Sequence, residues 1–153
     1  EAVAQVDVLE YAARDGLKIP ALVTWPVGVP PEQRKNLPMI VMPHGVPASY
    51  DSLGFDGLPQ FFANEGYVVL QPNFRGSSGF GYTFEEAGHG QWGRKMQDDI
   101  SDGVANLIAA GQVDAKRVCI VGWSYGGYAA LAGGALTPDL YACVASVAGV
   151  SEA

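Results

Sequence analysis

The 153-residue sequence has only two cysteines, two histidines, and nine Lys and Arg residues against 16 Asp and Glu. No apolar run approaches the roughly 18 residues of a membrane-spanning helix. The longest, around "PMIVMP" and "GYVVLQP", have the length of strands. The formal net charge is -7 and the basic residues are scattered, so the clustered positive charge that a phosphate backbone needs is missing. Neither nucleic acid nor a membrane is expected as a partner. The opening stretch "EAVAQVDVLEYAARDG" has no basic region followed by an apolar core, so it does not read as a signal peptide. Glu1 reads as a processing boundary, and the cytoplasm and the periplasm both stay open. Cys119 and Cys143 are widely spaced, with no histidine beside either. Each sits in an apolar run, "RVCIVG" and "ACVASVAGV", so the expectation is two buried free thiols and no metal site.

What is present is a globular composition, 48% hydrophobic and 16% charged, without repeats or low-complexity tracts. "QVDVLEYAARDGLKIPALVTWP" reads as two extended segments joined at Asp15-Gly16, a hairpin signal. "LPMIVMPHG", "YVVLQPNFRG", "RVCIVGWS" and "YACVASVAGV" are continuous apolar runs ended by turn residues, as expected of strands buried on both faces. Between them, "LPQFFANEG" and "YGGYAALAGGAL" read as helices. So does Met96 to Ala110, with Met96, Ile100, Val104, Leu107 and Ile108 on one face and Gly111 as its stop. Asp98, Asp99 and Asp102 suit the positive end of that helix. Strands alternating with helices give an α/β class: a mostly parallel sheet, helices on both faces, an antiparallel hairpin at one edge. Asn73 to Arg94 breaks the alternation with six glycines. A loop of that length inside a compact domain usually serves a function.

Chemistry concentrates at Gly122-Trp123-Ser124-Tyr125-Gly126, a G-x-S-x-G sequence. It falls where a buried strand passes into an alanine-rich helix, the setting of a nucleophile elbow. Such a turn lifts the serine hydroxyl clear of the sheet, and Gly122 and Gly126 leave room for the crossing backbone. The helix that follows aims its positive end at the reacting centre. Ser124 is the candidate nucleophile. After "MIVMP" comes His44-Gly45-Val46-Pro47, in the loop where such folds place the second oxyanion donor. The N–H groups of Tyr125 and Val46 are the candidate oxyanion hole, with His44 and Gly45 supporting that loop.

A general base is harder to find. Both histidines, His44 and His89, precede Ser124, and the acidic residues after it are Asp139 and Glu152. Asp139 reads as part of a helix-to-strand loop. Without a base the serine stays protonated and weakly nucleophilic.

Together, "MPHGVPASYD", "YVVLQPNFRGSSGFG", "GQWGRKMQDDISDGVANLI" and "RVCIVGWSYGGYAALAGGAL" resemble the hydrolase domain of the prolyl oligopeptidase family of serine peptidases, in its acylaminoacyl and dipeptidyl peptidase-like branch. The resemblance implies an α/β-hydrolase fold, acyl transfer through Ser124, a peptide substrate that is short or N-blocked, and no metal or organic cofactor. It makes Tyr125 and Val46 the oxyanion donors, although the family usually has a second glycine at the position of Val46. It makes Arg75 and Asp98 structural, linking the long loop to the helix. Members carry the catalytic Asp and His later in the same domain and a β-propeller before it. Residues 1–153 therefore read as one partial catalytic domain, without a propeller, truncated after the strand that follows the nucleophile helix.

Two other functions stay open on the sequence. A carboxylesterase or thioesterase uses the same elbow, and a non-catalytic binding domain would have no need of a base. Truncation is expected to leave the strand "CVASVAGV" with an unpaired edge, through which the chain self-associates.

Overall fold

The computed structural model describes residues 3–42, 57–72, 95–123 and 142–147. Its strands are β1 (Val6–Ala12), β2 (Lys18–Thr24), β3 (Leu37–Val41), β4 (Val68–Pro72), β5 (Val113–Trp123) and β6 (Cys143–Val147), and its helices α1 (Gly57–Asn64) and α2 (Lys95–Ala109). They form one sheet in the order β1-β2-β4-β3-β5-β6. β1 and β2 pair antiparallel, β2 runs antiparallel to β4, and β4, β3, β5 and β6 are mutually parallel. The expected hairpin at one edge of a mostly parallel sheet is what the chain forms.

Local chemistry accounts for the turns. Ala13 donates its N–H to the Leu17 carbonyl at 2.8 Å, and Gly16 donates to Ala13 at 2.8 Å. Gly16 takes φ 89°, which suits a three-residue hairpin loop with glycine in its left-handed position. Asp15 Oδ1 accepts the Leu17 N–H at 3.3 Å. α2 ends as its sequence proposed: Gly111, at φ 77°, donates to the Ile108 carbonyl, and Gln112 donates to Leu107.

Side chains alternate across the sheet and build two apolar layers. Met39 and Val41 face one layer with Val68, Leu70, Val118 and Ile120, closed by Ile100, Val104 and Leu107 of α2. Ile40, Met42 and Val69 face the other, where Phe62 of α1, Tyr67 and Val121 pack. The period of two in the strands meets the helical period of α2, and each face carries an apolar cluster. All five residues of β4 are buried, as its unbroken apolar run requires.

β5 departs from the sequence reading. Leu37 pairs with Val113 but Met39 with Val118, so residues 114–117 are looped out of the ladder. Asp114 holds that excursion by accepting the N–H of Lys116 at 2.9 Å and Nε of Arg117 at 3.0 Å. The paired stretch beyond it, from Val118 to Trp123, matches the run "VCIVGW".

The cysteines require a correction. Cys119 and Cys143 are not free thiols: they form a disulfide, with Cα atoms 4.6 Å apart. Nor are they fully buried, Cys119 being half-buried and Cys143 exposed. They lie directly opposite each other in the parallel β5–β6 register. Spacing along the chain cannot show this, because the intervening segment brings the second strand back beside the first.

Candidate active site

The strand ends locate the site. β3, β4 and β5 are parallel neighbours, so Val41, Pro72 and Trp123 finish toward the same end of the sheet. In an open α/β sheet that is where ligands bind. His44, Gly45 and Val46 follow β3, the glycine-rich segment follows β4, and Ser124, Tyr125 and Gly126 follow β5. All of these residues, with Arg75, His89 and Asp139, lie outside the described residues. Of the predicted site, Gly122 is described, at the penultimate position of β5 and opposite Ser146 of β6.

Ser124 is bonded directly to Trp123, the last residue of β5. β5 is an interior strand, with β3 on one side and β6 on the other. Val41 is level with Ile120, so β5 runs three residues further than β3 in register, to Trp123. At about 3.3 Å per residue it stands roughly 10 Å beyond its neighbour. The serine therefore leaves from a strand that is anchored on both sides and projects past the end of β3. The β3 ladder is itself extended by one bond, from Met42 N–H to the Leu70 carbonyl at 2.8 Å. The chain leading to His44, Gly45 and Val46 thus starts beside the strand that leads to Ser124.

α2 is fixed beneath this end by contacts that periodicity did not disclose. Tyr11 donates its hydroxyl hydrogen to the Asp99 carbonyl at 2.5 Å, and Asp99 is fully buried. Arg14 donates its N–H to Asp102 Oδ2 at 2.8 Å, pairs with Asp102 Oδ1 at 2.9 Å, and lies 3.4 Å from Asp98. The hydrogen bond to Asp102 holds the Arg14 guanidinium above its ordinary value, with the nearby carboxylates adding to it. Asp98 is thus paired to the β1–β2 turn. The three aspartates divide their work: Asp98 and Asp102 grip the hairpin and Asp99 is taken inside. No sequence signal links Arg14 to Asp102, 88 positions away.

A cavity lies elsewhere in the described residues. Val3, Gln5, Trp25, Val27, Pro30 and Arg34 help line a cavity of about 390 Å³. The Arg34 guanidinium sits 4.3 Å over the Trp25 ring, and Trp25 Nε1 donates to Asp7 at 2.9 Å. Thr24 is level with Val69 near the start of β4, so this cavity is at the amino ends of the parallel strands, opposite Trp123. It is no part of the candidate active site. Among the described residues no cluster of His, Cys, Asp and Glu is arranged to hold a metal ion, and no helix is long and apolar enough to cross a membrane.

The profile of the Peptidase S9 prolyl oligopeptidase family matches residues 53–153. The chain belongs to the prolyl oligopeptidase family. It is 40% identical over 148 residues to dipeptidyl aminopeptidase BIII of Pseudoxanthomonas mexicana, covering 94% of this chain and 22% of that relative. With the human acylamino-acid-releasing enzyme it shares 34% identity over 138 residues, 90% of this chain and 18% of that one. A Mycobacterium tuberculosis puromycin-hydrolyzing peptidase superposes with TM-score 0.87 at 28% identity, covering 97% of this chain and 23% of that structure. An acylaminoacyl peptidase of Pyrococcus horikoshii gives 0.81 at 27%, with coverage of 98% and 24%. The fold is the α/β-hydrolase fold of these peptidases. The chain spans about a fifth of the length of the curated relatives it matches.

Proposed function

We propose that this chain carries the nucleophile of a serine peptidase that hydrolyses short or N-blocked peptides through an acyl-enzyme on Ser124. The observation that carries the reading is the end of β5: an interior parallel strand, extending past β3, that leads through Gly122-Trp123 straight into Ser124. A family profile spanning the same residues, and relatives named as a dipeptidyl aminopeptidase and an acylamino-acid-releasing enzyme, support the choice of a peptide substrate.

In this reading Ser124 Oγ attacks the scissile carbonyl carbon while a histidine takes its proton. The N–H groups of Tyr125 and Val46 hold the developing oxyanion, His44 and Gly45 shape the loop that presents Val46, and Gly122 and Gly126 give the turn its room. The tetrahedral intermediate collapses, the amine leaves with the proton, and water then releases the acyl group by the same steps. The chemistry needs no metal or organic cofactor. Both His44 and His89 precede the elbow, whereas this fold places its Asp or Glu and then its His after the nucleophile, so in this reading the base and its acidic partner come from outside these 153 residues.

The test uses the full-length protein that contains this chain. Ser124→Ala should lower kcat on a peptide anilide by at least about 10,000-fold, since removing a triad nucleophile has effects of that order and larger, without moving the melting temperature. Unchanged turnover would remove Ser124 from the mechanism. Rates on the anilide and a matched ester separate peptidase from carboxylesterase: negligible amide cleavage beside brisk ester cleavage overturns the peptide assignment.

A further inference from the structure

The disulfide does more than join two strands. Cys119 lies five residues before Ser124, and Cys143 opens β6. The bond therefore closes a covalent ring that contains the entire elbow and everything between β5 and β6. Both cysteines of the chain are spent on it. The two ends of the ring are held unequally. β5 has ladders to β3 and to β6, while five-residue β6 has, among the described residues, its ladder to β5 alone. Cys143 is exposed and Cys119 half-buried, so a thiolate in solution reaches the Cys143 side of the bond.

We propose that Cys119–Cys143 is a redox-responsive clasp on the nucleophile segment, and that the oxidised protein is the more reactive hydrolase. This rests on the reading of Ser124 as the nucleophile. A small-molecule thiolate attacks Cys143 Sγ, and the S–S electron pair leaves on Cys119 Sγ, which takes up a proton. A second thiolate attacks the mixed disulfide, freeing the Cys143 thiol and a small-molecule disulfide. Two electrons pass from the small thiols to the protein, and a small-molecule disulfide reverses the exchange. Once open, the β6 end is tied, among the described residues, by strand hydrogen bonds alone, and the covalent constraint on the segment is gone. Acylation tolerates little of that, because a displacement of about 1 Å costs on the order of 100-fold in rate.

The experiment uses the full-length protein, before and after treatment with a dithiol, beside a C119A/C143A double variant. Differential alkylation with peptide mapping reports the two cysteines, a fluorophosphonate probe reports Ser124, and chymotrypsin reports cleavage at Tyr125 and Tyr128. We expect both cysteines to resist alkylation until reduction, labelling then to slow by about three- to tenfold, and cleavage to quicken. The double variant should sit at the reduced level in both readouts and ignore the dithiol. Free alkylation of the untreated protein, or equal labelling in the two states, overturns the proposal. If neither state takes the probe, the nucleophile reading fails and takes the control of activity with it. The proteolysis arm then decides whether the clasp holds the segment at all, and equal cleavage would remove that too.

Discussion

Asp114 shows how a single carboxylate stabilises an irregularity in an interior strand. Its oxygens accept the Lys116 N–H and then the Arg117 side chain, and Arg117 donates onward to the Asn36 carbonyl at 2.5 Å. The backbone bond from Lys116, followed by the bond from Arg117, holds the Asp114 carboxyl below its ordinary value. A depressed carboxyl contributes stability that is fully present above the unfolded value, near 3.9, and lost as pH falls through the folded value. Asp114→Asn should therefore melt below the parent at neutral pH, with the gap closing as pH is taken from about 5 to below 3. Thermal melts along that series check it, and a gap that stays constant with pH would assign the effect to shape.

Between elements, α2 packs closely on the hairpin at Gly103. A Cβ added at Gly103 would lie 2.7 Å from the Tyr11 hydroxyl oxygen and 2.8 Å from Cζ. Tyr11 is buried and engaged with Asp99, so it has no free path away. Gly103→Ala should cost about 1 to 3 kcal/mol despite its gain in helix propensity, the usual size of an overpacking penalty. Urea unfolding measures it, and a stabilised variant would mean that the helix shifts without resistance. This contact also marks where sequence reading stops. α2, its apolar face and its glycine stop were legible because they are local patterns of period 3.6, and the hairpin was legible at Asp15-Gly16. The joining of Arg14 and Tyr11 to α2 was not, since it depends on which elements the sheet brings together. The Cys119–Cys143 bond was missed for the same reason: a register between strands leaves no mark in the spacing of residues. For the candidate site, the motif around Ser124 and the strand that delivers it could be read directly. That β3 ends short of β5 is a property of the assembled sheet.

For the whole molecule, the two ends of the sheet carry different loads. The amino end is tied by fixed bonds, including Asn36 to Gly111 and Leu37 to Gln112, each at 3.0 Å. The carboxyl end is where the segments bearing the candidate chemistry depart. At the sides, β1 and β6 are the outer strands of the described sheet. We propose that residues 1–153, expressed alone, self-associate through β6, because a parallel edge that is unpaired among the described residues offers its N–H and C=O groups to another chain. Sedimentation velocity should show species above the monomer that grow with concentration, whereas a monomer at every concentration would show that the edge is covered.

The disulfide ring also has a mechanical meaning. Its cysteines are 24 positions apart, so a pull on the two chain ends passes from Cys119 to Cys143 through sulfur and bypasses the peptide between them. Roughly 80 Å of contour, at about 3.4 Å per residue, is hidden from the force while the bond lasts. The segment holding Ser124 is then the one stretch of the chain that can be unfolded but not drawn out.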